Sequence, residues 1–171
     1  FDEPLATYSA LLYVEQRRGK KAANELLRGQ VRDAYNVYRM LGGRDASVDR
    51  PIGDFGGRAE IVGLLNGKGA LYYDRLRKLA GDKPFFLALR RHYKDNFFGE
   101  ISSDGVLLAT AAVAPAKAQA ALELYERYMR QLHGDEDVGG PRDFAGALQQ
   151  SGMQVDPATK ALLEQLGAAF G

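Results

Sequence analysis

Cysteine is absent from the 171 residues, which removes disulfides, thiolate metal sites and cysteine nucleophiles and leaves the compartment undetermined. Long apolar runs are absent as well: no stretch approaches the roughly 18 uninterrupted apolar residues that span a bilayer, and the start carries no signal-like segment. No membrane span is therefore expected in this chain. Charge of either sign is not in excess. The 23 Lys and Arg residues nearly cancel the 22 Asp and Glu residues, for a formal charge of +1, so no global field points to nucleic acid or to an anionic membrane. Neither is an expected partner. The β-branched alternation of a strand is missing throughout.

Histidine is scarce. His92 and His133 are the only two; neither has a partner at metal-ligand spacing, and H-E-x-x-H does not occur. His92 follows Leu89 by three residues and reads as a core-edge histidine, while His133 precedes Gly134, where a cation suits the end of a helix. Two such histidines define no Ser, His and acid triad. Gly67-Lys68-Gly69 lacks both the first glycine of a phosphate loop and the Ser or Thr after the lysine.

What is present is helical periodicity. Asp2-Glu3-Pro4 combines a side-chain cap, an acid at the positive end of the dipole and a proline where no amide is needed. A helix is expected from there to about Arg18, with Leu5, Tyr8, Leu11, Leu12 and Val14 as its apolar positions and Gly19 as its end. A second helix should carry Leu27, Val31, Ala34, Tyr38 and Leu41 inward and stop at Gly42-Gly43. Residues 42–57 have no helical period and form a long connection, of the kind that is functional or wrapped against something. A third helix follows with Tyr72, Tyr73, Leu76 and Leu79. Gly81-Asp82-Lys83-Pro84 ends it and starts a fourth, striped by Phe86, Leu89, Tyr93 and Phe97. A short helix to Val113 and a longer one opened by Pro115 complete the main body.

The fold class is thus all-α, a bundle of about seven or eight helices. Its expected organisation is a body over residues 1–133, a linker over 134–140 where the sequence is acidic and glycine-rich, and a short helical appendage over 141–171. The opening residues run straight into a helix signal without an initiator Met, so the natural protein is expected to extend further toward the N-terminus.

Two segments together resemble a known family. Asp2-Glu3-Pro4-Leu5-Ala6-Thr7-Tyr8 is similar to the W-L-x-E-G-x-A-x-Y element of the aminopeptidase N (gluzincin) zinc metallopeptidases. Arg50-Pro51-Ile52, Ile61-Val62, Lys68-Gly69-Ala70-Leu71, Gly81-Asp82, Phe85-Phe86, Leu89-Arg90 and Tyr93 resemble that family's Y-x-K-G-A stretch and the G-D-x-x-F-F-x-x-L-R-x-Y after it. The resemblance covers residues 1 to 113. It implies that 1–133 is the helical half of a thermolysin-like catalytic domain and that the parent binds zinc and a peptide substrate. It also implies Glu3 as a zinc-binding carboxylate, with Lys68 and Gly69 beside the substrate cleft. Asn66 then falls where the family has the tyrosine that stabilises the oxyanion. Asn is several ångströms shorter, and losing such a donor costs roughly 100- to 1000-fold in turnover; Tyr72 or Tyr73 is an alternative source.

With H-E-x-x-H missing, the chain alone is expected to be inactive and to bind no zinc, and its partners would be the missing N-terminal part of the same protein and peptide. A non-catalytic relative serving as a helical interaction scaffold is the second implied reading. Truncation is expected to expose an apolar face around Leu5, Tyr8 and Leu12 that drives self-association.

Overall fold

The computed structural model describes residues 3–99 and 101–139, together with Pro157. About 80% of it is helical, with no strand among the described residues, so the chain is an all-α bundle. Six α-helices make up its frame: α1 (Glu3–Leu26), α2 (Asp33–Met40), α3 (Ala70–Ala80), α4 (Asp82–Asp95), α5 (Gly105–Val113) and α6 (Ala118–Tyr125). No helix among the described residues is long and apolar enough to cross a membrane. The two helices expected after residue 140 lie outside the described residues.

The expected punctuation is where the helices break. Gly19 takes a left-handed φ of 86° and kinks α1, and Gly81, at φ 88°, separates α3 from α4; both conformations suit a residue without Cβ. Pro115 opens a 3₁₀ turn ahead of α6.

What the periodicity did not anticipate is π-helix. Leu27–Arg32 joins α1 to α2, Ile61–Gly69 leads into α3, Glu126–Arg130 follows α6, and Asp135–Gly139 forms a last π-helical turn. An i→i+5 pattern takes more residues per turn, so each such segment rotates the apolar face that follows it. Accordingly α2 buries Tyr35, whereas Leu41, expected inside, is exposed. The fourth helix is also one residue out of the expected phase: Phe85, Ala88 and His92 are buried, while Tyr93 and Phe97 are exposed. The small residues Ala88 and Gly105 let α4 and α5 approach closely on that side. A Cβ on Gly105 would collide with the His92 ring.

The face around Leu5, Tyr8 and Leu12 is not open, contrary to expectation. Tyr8 is only 3% exposed, and Leu5 and Leu12 pack on the core. Its ring lies 6.1 Å from that of Tyr73 and meets Phe85 edge-on at 5.9 Å. Helices α3 and α4 of the same chain thus cover the apolar side of α1.

The expected linker is also packed through Gly139. Val138 is buried, its carbonyl accepts from the Arg32 guanidinium at 2.8 Å, and Asp137 pairs with Arg127 at 2.7 Å.

Helix Ile61–Gly69 crosses α2 at short range because glycines face it. A Cβ on Gly67 would sit 2.9 Å from the backbone nitrogen of Tyr35, an atom that cannot rotate away. Gly67→Ala is therefore expected to destabilise the fold by about 1–3 kcal/mol, the usual penalty of overpacking, measured by urea denaturation. A loss within about 0.5 kcal/mol, ordinary for surface changes, would mean that the two helices are not in contact there.

Candidate functional site

The first turn of α1, which carries Glu3, meets the π-helical segment 61–69, which carries Asn66, Lys68 and Gly69, through the contact of Pro4 with Gly69. Glu3 is half-buried in that turn and Pro4, beside it, is buried. The Pro4 ring rests on Gly69: a Cβ there would lie 3.0 Å from Pro4 Cγ and 3.1 Å from Val48 Cγ1. Gly69 thus acts as the flat surface on which the start of α1 sits. Proline suits this place, since a first-turn residue has no intrahelical bond to lose and the ring supplies the contact.

Asn66 precedes Gly69 by three residues on the same segment and is half-buried. Its Oδ1 is buried and accepts no hydrogen bond from the described residues. An unsatisfied amide oxygen is unfavourable by roughly 1–3 kcal/mol, and the Asn36 Oδ1, Arg50 Nε and Tyr72 hydroxyl atoms are buried without a partner among the described residues as well. Tyr72 and Tyr73, the alternative hydroxyl sources, lie inside the core with their ionisation pushed up by burial. Neither side chain is more than 2% exposed.

Lys68 is 1% exposed. Its ammonium donates to Asp45 Oδ1 at 2.8 Å, the Ala46 carbonyl at 3.1 Å and the Gln131 carbonyl at 2.7 Å. All three protons are used. Burial draws the ammonium below the usual lysine range, and the Asp45 carboxylate opposes that pull. The lysine consequently points into the protein, toward the connection and the Gln131 carbonyl, while Gly69 meets Pro4.

Asp45 was not anticipated as a functional residue, because nothing in an aperiodic stretch distinguishes a carboxylate that folds inward. Its second oxygen accepts from the Gly134 amide at 2.7 Å. Next to it, Asp135 accepts from Tyr35 at 2.8 Å and from Arg39 Nε and Nη2 at 2.7 Å each. The Arg39 guanidinium, ahead of the opposing effect of burial, holds the Asp135 carboxyl below the usual range. The long connection is further tied to the last helix through Met129, whose carbonyl accepts from the Val48 and Asp49 amides at 2.8 Å and from Ser47 Oγ at 3.0 Å. Carbonyls at a helix C-terminus have no intrahelical partner. Here the connection and Lys68 supply the donors.

His92 is 7% exposed between α4 and α5, and its Nδ1 lies 3.3 Å from Asn96 Nδ2. His133 pairs with Glu136 at 3.2 Å. Among the described residues no three His, Cys, Asp or Glu side chains are grouped so as to hold a metal. Glu3 by itself supplies one carboxylate, whereas a catalytic zinc takes three protein ligands.

No family model, curated protein or solved structure matches this chain.

Two outcomes are expected of the buried groups. Removing one member of a buried pair leaves the other uncompensated, so Lys68→Met is expected to lower unfolding free energy by about 3–5 kcal/mol. A loss below about 1 kcal/mol in denaturant melts would show that the ammonium is solvated. Burial lowers the affinity of His92 for a proton, with Asp95 opposing, so the folded state binds that proton later than the unfolded chain does. Its contribution is complete above the ordinary histidine value of 6.5 and declines as pH falls through that value toward the lower folded one. The melting temperature should fall between neutral pH and mildly acidic pH, before the carboxylates titrate, and His92→Gln should flatten that segment of the profile. An unchanged slope in the variant would place the titration elsewhere.

Proposed function

We infer that this chain is the helical part of a zinc-dependent metallopeptidase catalytic domain of the aminopeptidase N type, inactive by itself. One juxtaposition carries the reading: the carboxylate-bearing start of α1 packs directly on the Asn66–Gly69 segment, through Pro4 on Gly69. The resemblance involves two blocks separated by more than forty residues of unrelated sequence. Their meeting at that contact is what a shared cleft requires. In the parent, Glu3 would supply one carboxylate to a zinc ion whose remaining ligands come from polypeptide outside this chain, and the bound ion would supply the Lewis acidity. This chain's own residues do structural work there. Pro4 and Gly69 fix the height of Glu3, and the Lys68 clasp fixes the segment that carries Asn66.

A second reading, a non-catalytic relative retained as a helical scaffold for protein partners, is favoured by one residue. Asn66 is too short to place a donor where the family's tyrosine does without a backbone shift, and its amide oxygen is buried.

Zinc titration of this chain by calorimetry is expected to give no saturable one-to-one binding, with Glu3→Gln indistinguishable from the unmodified protein. Submicromolar stoichiometric binding that depends on Glu3 would contradict the reading of an incomplete site. The two readings separate in the parent reading frame. H-E-x-x-H encoded shortly before Glu3, chelator-sensitive hydrolysis of aminoacyl anilides, and a gain in turnover on Asn66→Tyr favour the peptidase. Absence of the motif leaves the scaffold.

A further inference from the structure

The exposed side of α4 carries a stripe that nothing above uses. Lys83, Leu87, Arg90 and Lys94 follow one another at steps of four, three and four, and all are exposed. The stripe runs into an aromatic tip. The Tyr93 and Phe97 rings lie 5.2 Å apart and those of Phe97 and Phe98 4.3 Å apart. Phe98 is 98% exposed and held at a left-handed φ of 63°, a conformation rare for a bulky side chain. Its backbone therefore turns the ring outward from the bundle. Arg91 is neutralised by Asp95, whereas Lys83, Arg90 and Lys94 pair with no carboxylate among the described residues.

We propose that this face docks on an anionic lipid surface, with Phe97 and Phe98 entering the headgroup and acyl boundary and Lys83, Arg90 and Lys94 meeting the anionic headgroups. Charge complementarity selects the occupant. A second copy related by a two-fold axis would bring the same uncompensated cations against one another. The aromatic tip projects from the surface, so a protein partner would need a matching cavity, whereas a bilayer interface accepts a wedge of any shape. Leu87 and Ile101, both exposed, have apolar surface to bury in lipid and no role in stacking on nucleic-acid bases. Aromatic and aliphatic side chains with flanking Lys and Arg are the elements of interfacial binding. The near-neutral charge of the whole chain does not oppose this, because the attraction is local and screened beyond about 8 Å at physiological salt. The surface includes neither Glu3 nor Asn66–Gly69, so it stands or falls independently of the peptidase reading.

The test is sedimentation of the full chain with vesicles of phosphatidylcholine alone and of phosphatidylcholine with about 30% phosphatidylserine, a lipid that gives the negative surface potential required. Binding is expected to the anionic vesicles only, and to weaken as salt rises. Arg90→Gln and Lys94→Gln should each reduce partitioning about fivefold, the effect of one surface cation. Phe97→Ser with Phe98→Ser should reduce it by roughly tenfold or more. The chain has no tryptophan, so Phe98→Trp introduces a single indole whose emission should shift to the blue on anionic vesicles. Equal binding to neutral vesicles, undiminished binding of the double Phe variant, or no emission shift would overturn the proposal. So would retention of a single-stranded oligonucleotide by the stripe without any binding to vesicles.

Discussion

The arrangement depends on one buried ammonium. Lys68 sits at the end of the π-helical segment 61–69, and its three protons reach a carboxylate and a carbonyl of the long connection and a carbonyl just past the last helix. Three pieces of chain that are distant in sequence are thereby fixed to a single point. A lysine is suited to this because it is a compact charge with three donors on a flexible stem. The ion pair alone would not repay the desolvation of both partners; the two carbonyls and the Asp45–Gly134 bond complete the satisfaction of the site. The same clasp sets the height of Gly69, on which the first turn of α1 rests.

A second constraint is the phase of the helices. The π-helical segments rotate successive faces, so that Tyr35 turns inward onto Asp135 and the glycines of 61–69 meet α2 at short range. Single-turn insertions of this kind are frequent at functional sites. Here the longest of them carries Asn66, whose amide oxygen is buried without a donor, and ends at the contact with Pro4. Local backbone, packing and the candidate site are thus one feature seen at three scales.

Much of this was legible in the residues. Gly19, Gly81 and Pro115 mark helix boundaries by their backbone preferences alone, and the spacing of Tyr72, Tyr73 and Leu76 identifies a buried face. The connection over 42–57 was expected to be either functional or wrapped against something, and its Val48 is fully buried. Two kinds of information were not legible. A 3.6-residue period cannot register a π-helical insertion, which is why Leu41 was expected inside; the stripe of Phe86, Leu89, Tyr93 and Phe97 expected for α4 has the helical period as well, and the buried face lies one residue away on Phe85, Ala88 and His92. Nor does composition reveal which charges meet: Asp135 and Asp137, in the stretch expected as a linker, pair with Arg39 and Arg127. Lys68 was noticed for its motif, and its inward direction, onto Asp45, Ala46 and Gln131, could come only from the fold.

The central claim is that Lys68 holds the connection and the end of the last helix to the body. It is tested most directly by native-state hydrogen exchange on Lys68→Met. The account predicts that the amides of Val48, Asp49 and Gly134 lose protection together and far more than those of α3 and α4, because the local tie is gone while the core persists. Protection at those three amides that falls only in step with the rest of the chain would contradict it.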